Sequence, residues 1–179
     1  MRFERLTSPQ HPLYKRAMAL YADSFPPHEQ RENASQLRIL GDEAYRFNLI
    51  YDENTFVGLA LCWRTERFIY LEHFCILSEL RSHGHGRQAL ALLAADGLPV
   101  ILEIDPPVDA VSIRRRGFYQ RCGFVENPYP HVHPPYHAGH AGHALVILTA
   151  PGAISAEEYA GFADFLRERV MKDVWSKNF

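Results

Sequence analysis

Apolar residues recur along this chain in two rhythms, and the switch between them outlines the fold. Residues 2–7 read as a short first strand. From His11 to Phe25, Leu13, Ala17, Leu20 and Tyr21 fall on one side at helical spacing, and Pro26-Pro27 stops that helix. A second helix is expected from Pro27 to about Leu40, with Gly41 at its end. Three strands follow, Tyr45 to Tyr51, Phe56 to Trp63 and Phe68 to Leu77, the first two joined by the turn residues Asp52-Glu53-Asn54. The rhythm then becomes helical from Gly84 to Ala95, with Leu90, Leu93 and Ala94 on one face. Val100 to Ile104 reads as a buried strand. A further helix runs from about Val111 to Cys122 and ends at Gly123. Phe124 begins another strand, and Ala144 to Thr149 is the last clear one. Ser155-Ala156-Glu157-Glu158 is a capping box opening the final helix.

Strand, helix, strand through the middle implies a parallel pair joined by a crossover. The expected fold class is therefore α/β: a mixed central sheet of about six to seven strands with helices on both faces. The 179 residues fit one domain spanning 1–179. Apolar residues make up 47% and charged residues 22%, the balance of a globular protein with a real core. A net charge of -2 with mixed signs gives no basic surface for nucleic acid. No apolar run has the length of a membrane span, and Met1-Arg2-Phe3-Glu4-Arg5 does not start a secretory signal, so a cytoplasmic protein is expected. Cys62, Cys75 and Cys122 lack paired spacing and read as free thiols.

The chemistry concentrates at the crossover. Leu77-Ser78-Glu79-Leu80-Arg81-Ser82-His83-Gly84-His85-Gly86-Arg87 lies between a strand and a helix. Glycine allows positive φ and close approach of a ligand to the backbone. The first amides of a helix have no internal partner and sit at the positive end of its dipole, so an anion is favoured there. Arg81 and Arg87 add charge at both edges, an arrangement suited to a pyrophosphate. The alternative is an ordinary turn that contains Gly and Arg. The third glycine of a dinucleotide fingerprint is missing, and no Gly-Lys-Ser/Thr follows as in a P-loop.

Arg81-x-x-Gly84-x-Gly86 resembles the (Gln/Arg)-x-x-Gly-x-(Gly/Ala) acetyl-CoA motif of the GNAT N-acetyltransferase superfamily. The strand Leu71 to Leu77 before it is similar to that family's fourth strand. Gly117-Phe118-Tyr119-Gln120-Arg121-Cys122-Gly123-Phe124 resembles its Phe/Leu-Tyr-x-x-x-Gly-Phe segment. Motifs in register on the right elements are more specific than either alone. The resemblance implies acetyl-CoA as cosubstrate, bound by Phe74, Cys75, Ile76, Arg81, Ser82, Gly84, His85, Gly86 and Arg87. It also implies that the fourth and fifth strands splay, with amides near Phe74 and Ile76 holding the pantetheine arm or the acetyl oxygen. Many members carry Asn seven residues before the Tyr. Here that residue is Ser112, followed by Arg114-Arg115-Arg116, and Arg115 is the candidate for a CoA phosphate, the alternative being a solvated helix face.

Amine acetylation needs a neutral amine, a polarised thioester and a proton for the leaving thiolate. The resemblance makes Tyr119 the donor to the CoA sulfur. Glu72 and Glu103 each sit in apolar strands, and burial would raise a carboxylate toward a useful base. Both are candidate bases, with structural ion pairing as the alternative. Strand alternation puts Tyr70, Glu72, Phe74 and Ile76 on one face and His73 on the other. From Pro128 to His143, rings with polar tips are expected to border the acceptor site through Tyr129 and Tyr136, helped by Phe25 and His28. His131, His133, His137, His140 and His143 could instead suggest metal, but the spacing is loose and no metal site is assigned.

The expected function is transfer of an acetyl group from acetyl-CoA to a primary amine, directly in a ternary complex. The partner is a small-molecule or peptide amine, with no nucleic acid and no membrane, and a homodimer is compatible with this reading. The alternatives are a non-catalytic acyl-CoA-binding module of the same fold and a His-rich metal-binding protein.

Overall fold

The computed structural model describes residues 1–172 and 174. Strands β1 (Arg2–Leu6), β2 (Tyr45–Asp52), β3 (Thr55–Arg64) and β4 (Ile69–Ile76) form an antiparallel run. Its tightest turn is the one between β2 and β3, where Asp52 pairs with Thr55 and Glu53 takes a left-handed φ of 50°. Helix α3 (His85–Ala94) crosses over to β5 (Val100–Ile104), which lies parallel to β4. Beyond β5 come β6 (Val125–Glu126), β7 (His131–His133) and β8 (His143–Ala150), completing one eight-stranded sheet in the order β1-β2-β3-β4-β5-β8-β6, with β7 also on β8.

Each face of the sheet carries helices. On one side α1 (Tyr14–Ser24), α2 (Asn33–Ile39) and α5 (Ala156–Phe165) cover the sheet. Ala17, Leu20, Tyr21, Ile39 and Phe162 pack there against Phe47, Leu59, Trp63 and Tyr70. On the other side α3 and α4 (Ala110–Arg121) press Ala89, Leu90, Leu93 and Tyr119 against Val57, Leu71, Val100 and Leu102. The expected α/β class and two-faced layering hold, with the short β7 raising the count to eight.

Two expectations about local structure are corrected, and both corrections shape the site. The helix foreseen from Pro27 to Leu40 is broken. Pro27–Glu29 makes a single tight turn, Gln30 is extended, and α2 starts only at Asn33. The side-chain amide of Gln30 donates to the carbonyls of Ala22 and Phe25, replacing helical bonds, and Arg31 is thereby turned inward. The second correction concerns β4. Leu61 pairs with His73 but the next residue, Cys62, pairs with Leu71, so Glu72 is an extra residue in the ladder. Such a bulge shifts the alternation by one. Tyr70, Glu72, His73 and Cys75 consequently lie toward α1, and Leu71, Phe74 and Ile76 toward α3. The expectation that Glu72 shares a face with Phe74 and Ile76, with His73 opposite, does not survive this bulge.

Candidate active site

The bulge at Glu72 has a consequence for the sheet. β4 and β5 pair only from Ile69–Val100 to Leu71–Leu102 and then part. Two parallel strands that separate leave a wedge between them, and a cleft of about 960 Å³ opens there. Leu77 donates its N–H to Val57 on β3. Strand alternation then turns the N–H groups of Phe74 and Ile76 the other way, toward the cleft. Arg81 Nε donates to the Ile76 carbonyl over 3.1 Å and ties the strand end to the turn that follows.

That turn is built for close backbone approach. Ser82 and Gly84 are both left-handed, with φ of 66° and 84°. Gly84 is the N-cap of α3, so the first free amides of the helix begin at His85 and Gly86. A Cβ at Gly86 would sit 3.1 Å from the ring of Phe118, so any side chain there would require that ring to shift. Phe74, Cys75, Ile76, Arg81, Ser82, Gly84, His85, Gly86, Arg87 and Arg115 all line the one cleft. The cradle therefore fits a pyrophosphate: free helix amides, left-handed turns and arginines meet at one end. Arg115 also pairs with Asp105 at 2.7 Å. Ser112, where the resemblance led one to look for Asn, closes a capping box with Asp109 and is buried.

Tyr119 faces the same cleft from α4 and is 8% exposed. Burial pushes its phenol up to about 12, so it keeps its proton at neutral pH.

The two carboxylates considered as bases behave differently from the expectation. Glu72 accepts from Arg31 Nη2, Trp63 Nε1 and the Tyr136 hydroxyl, each at 2.8 Å. Burial by itself would raise its pKa, but Arg31, His73 and these hydrogen bonds outweigh it and hold Glu72 at about 2. Glu103 accepts from Tyr70 at 2.5 Å and from His131, with His133 Nε2 at 4.0 Å. Burial again pulls upward, and His133, His131 and Tyr70 together pull its pKa below the ordinary range. The idea that burial makes either group a ready proton acceptor is therefore corrected. Their donors keep both as anchored anions.

Of the acceptor candidates, Phe25, His28 and Tyr136 line the same cleft. Tyr136 is buried with its hydroxyl committed to Glu72. Tyr129 lies elsewhere: it stacks on Tyr159 of α5 at 4.4 Å and donates to the Ile154 carbonyl. Its ring is part of the core rather than the cleft wall. The histidine-rich segment divides its residues among protein partners. His131 and His133 turn to Glu103, His137 meets the Pro27 carbonyl and Glu32, and His143 meets Asp105. Among the described residues, His28, Glu29 and His143 at the cleft mouth bring ligand atoms within 4.8 Å of one another. His28 is 54% exposed at the side chain, and nothing else at this trio points to an ion.

Arg31 is not singled out in the sequence, and His133 is weighed there only as a possible metal ligand. Arg31 carries no local signal, because its importance depends on Glu72, 41 positions away. For His133 a signal existed. His131-Val132-His133 alternates with a period of two, the mark of a short strand with both rings on one face.

Residues 11–124 match the model of the acetyltransferase (GNAT) family. A solved structure from Bacteroides thetaiotaomicron, described as an acetyltransferase of the GNAT family, is 30% identical, covers 95% of this chain and 98% of its own, and superposes with a TM-score of 0.88. A spermidine N-acetyltransferase from Vibrio cholerae, 16% identical over 83% of this chain and 94% of its own, gives 0.59. An aminoglycoside 6'-N-acetyltransferase complexed with coenzyme A, 13% identical over 83% and 96%, gives 0.56. The last two show a shared fold. No curated protein matches in sequence. No helix among the described residues is long and apolar enough to cross a membrane.

Proposed function

This chain belongs to the GNAT acetyltransferase family, an acetyl-CoA-dependent N-acetyltransferase, and from that premise we propose direct transfer of the acetyl group to a primary amine in a ternary complex. The observation that carries the reading is the parting of β4 and β5 beyond Leu71, which joins the helix cradle, the Phe74 and Ile76 amides and Tyr119 in one cleft.

The CoA pyrophosphate lies on the amides of His85 and Gly86 at the N-terminus of α3, with Arg81 and Arg87 beside it. The pantetheine arm follows β4 and takes the place of the missing β5 ladder, bonding to Phe74 and Ile76. An amide aimed at the thioester oxygen stabilises the charge that develops there during attack. The amine enters from the side of Phe25, His28 and Tyr136. Its nitrogen forms the new C–N bond, the C–S bond breaks, and Tyr119 gives its proton to the departing sulfur. A phenol held protonated by burial suits that role. Arg31 and Glu72 fix the acceptor wall through Tyr136 and do not touch the reacting atoms.

Several acceptors fit the class: among proteins of this fold, one named above acts on spermidine and another on aminoglycosides. For this chain the acceptor is proposed only as a small-molecule or peptide amine. Initial-velocity measurements test the mechanism. Intersecting double-reciprocal lines for acetyl-CoA and amine are expected. Parallel lines with a trapped acetyl-enzyme would contradict direct transfer.

A further inference from the structure

A residue of the cleft wall, His133, carries a buried ring nitrogen without a hydrogen-bond partner. On β7 the side chains of His131 and His133 point inward, while Val132 between them is 60% exposed. His133 Nδ1 lies 2.6 Å from the Pro134 carbonyl oxygen. A carbonyl can only accept, so Nδ1 carries the proton. In the neutral ring the lone pair is then on Nε2. That atom is buried, has no hydrogen-bond partner, and belongs to a side chain 6% exposed that lines the cleft. Glu103 Oε2 stands 4.0 Å away, beyond hydrogen-bond range yet close enough to stabilise a positive ring.

We propose that His133 is the general base of the reaction, taking a proton from the acceptor ammonium at Nε2, with Glu103 as its positioning residue. The proposal rests on the acetyl-transfer reading above and supplies the base that Glu72 and Glu103 cannot be. The protons balance as follows. The acceptor nitrogen loses two of them as it becomes an amide. One passes to His133 Nε2 and on to solvent. The other replaces the proton that Tyr119 gives to sulfur.

Several ionisable groups pack around the ring. Glu103 on β5 is held ionised, with Tyr70 of β4 bonded to it. His73 on β4 is pushed below the ordinary histidine range by burial, and the Arg31 guanidinium lies over the neighbouring Tyr136, 5.4 Å from its ring centroid. Tyr136 packs on the His133 ring at 4.9 Å and keeps its own proton, because burial raises its pKa. His131 shares Glu103 from the same strand, and His143 is the register partner on β8.

Two experiments decide the matter. Long-range 1H–15N spectra of 15N-histidine-labelled wild-type protein, with and without saturating CoA, report the state of each ring. The Nδ1–H tautomer with bare Nε2 is expected for His133. An Nε2–H tautomer, or an imidazolium across about pH 6 to 9, would overturn the proposal. This reading needs neither a variant nor a known acceptor. In the second experiment His133→Gln is assayed by thiol release with 2-phenylethylamine as the probe amine. A fall in kcat/KM of roughly 10²- to 10⁴-fold is expected, with acetyl-CoA affinity unchanged and the acidic limb of the pH profile lost. Retention of both rate and limb would overturn the assignment. If wild type transfers nothing to the probe, the fault lies with the acceptor reading, and the tautomer still judges His133.

Discussion

Arg31 Nη2 and Glu72 Oε1 meet at 2.8 Å with both side chains only 1% exposed. This pair joins the break between the first two helices to the bulge in β4, and it therefore links two irregular features that shape the cleft. Arg31 also donates to Ser35 and to the Val170 carbonyl, so one guanidinium holds α2, β4 and the end of the α5 segment together.

Removing either charge leaves the other buried and uncompensated. Glu72→Gln and Arg31→Met should each lower unfolding stability by about 3–5 kcal/mol, measured by urea titration at neutral pH. The pH dependence follows from the depressed pKa of Glu72, about 2 against an ordinary value of 4.5. Its contribution is fully present above the ordinary value and is lost as pH falls from there through about 2. Wild type should lose stability across that window, and Glu72→Gln should lose less. Equal acid sensitivity of the two proteins would contradict this account of the pair.

Gly86→Glu should abolish acetyl-CoA binding in titration calorimetry. A Cβ already meets Phe118 at 3.1 Å, and the added carboxylate would place negative charge where the phosphates are proposed to lie. Unchanged binding in a folded variant would remove the phosphates from this helix end.

Tyr119→Phe should lower kcat by roughly 10²-fold or more, with little change in the Kd for acetyl-CoA. The ring still packs against Phe118 and Phe124, so the fold should hold. A wild-type kcat in this variant would assign the proton donor to another group.

Tyr136 carries two roles that substitutions can separate. Tyr136→Phe loses a hydrogen bond to a charged group and should cost about 1.5–3 kcal/mol of stability with acceptor KM nearly unchanged. Tyr136→Ala also removes the ring that borders the cleft and should raise acceptor KM, leaving acetyl-CoA affinity intact. Identical acceptor kinetics in both variants and wild type would take Tyr136 out of the acceptor wall.

The parts of this site that were legible in the sequence are those set by short-range pattern. The run from Arg81 to Arg87 shows its turn, its helix start and its charge within seven residues. The strand Val100–Ile104 and the Ser155 capping box are equally local. What escaped depends on contacts distant in sequence. The bulge at Glu72 arises from its pairing with β3, so simple alternation assigned His73 and Phe74 to the wrong faces. The low pKa of Glu72 comes from Arg31, which reaches it only because the expected helix breaks at Gln30. Prolines around His131-Val132-His133 disguised a three-residue strand as loop, and with it the two histidines that turn toward Glu103.

The most direct test of the central claim is a thiol-release assay with acetyl-CoA and a panel of primary amines, with products identified by mass spectrometry. The account predicts release that depends on the amine, together with an N-acetylated product carrying the acetyl group of acetyl-CoA. Tight CoA binding without amine-dependent release anywhere in the panel would contradict it and favour a module that only holds acyl-CoA.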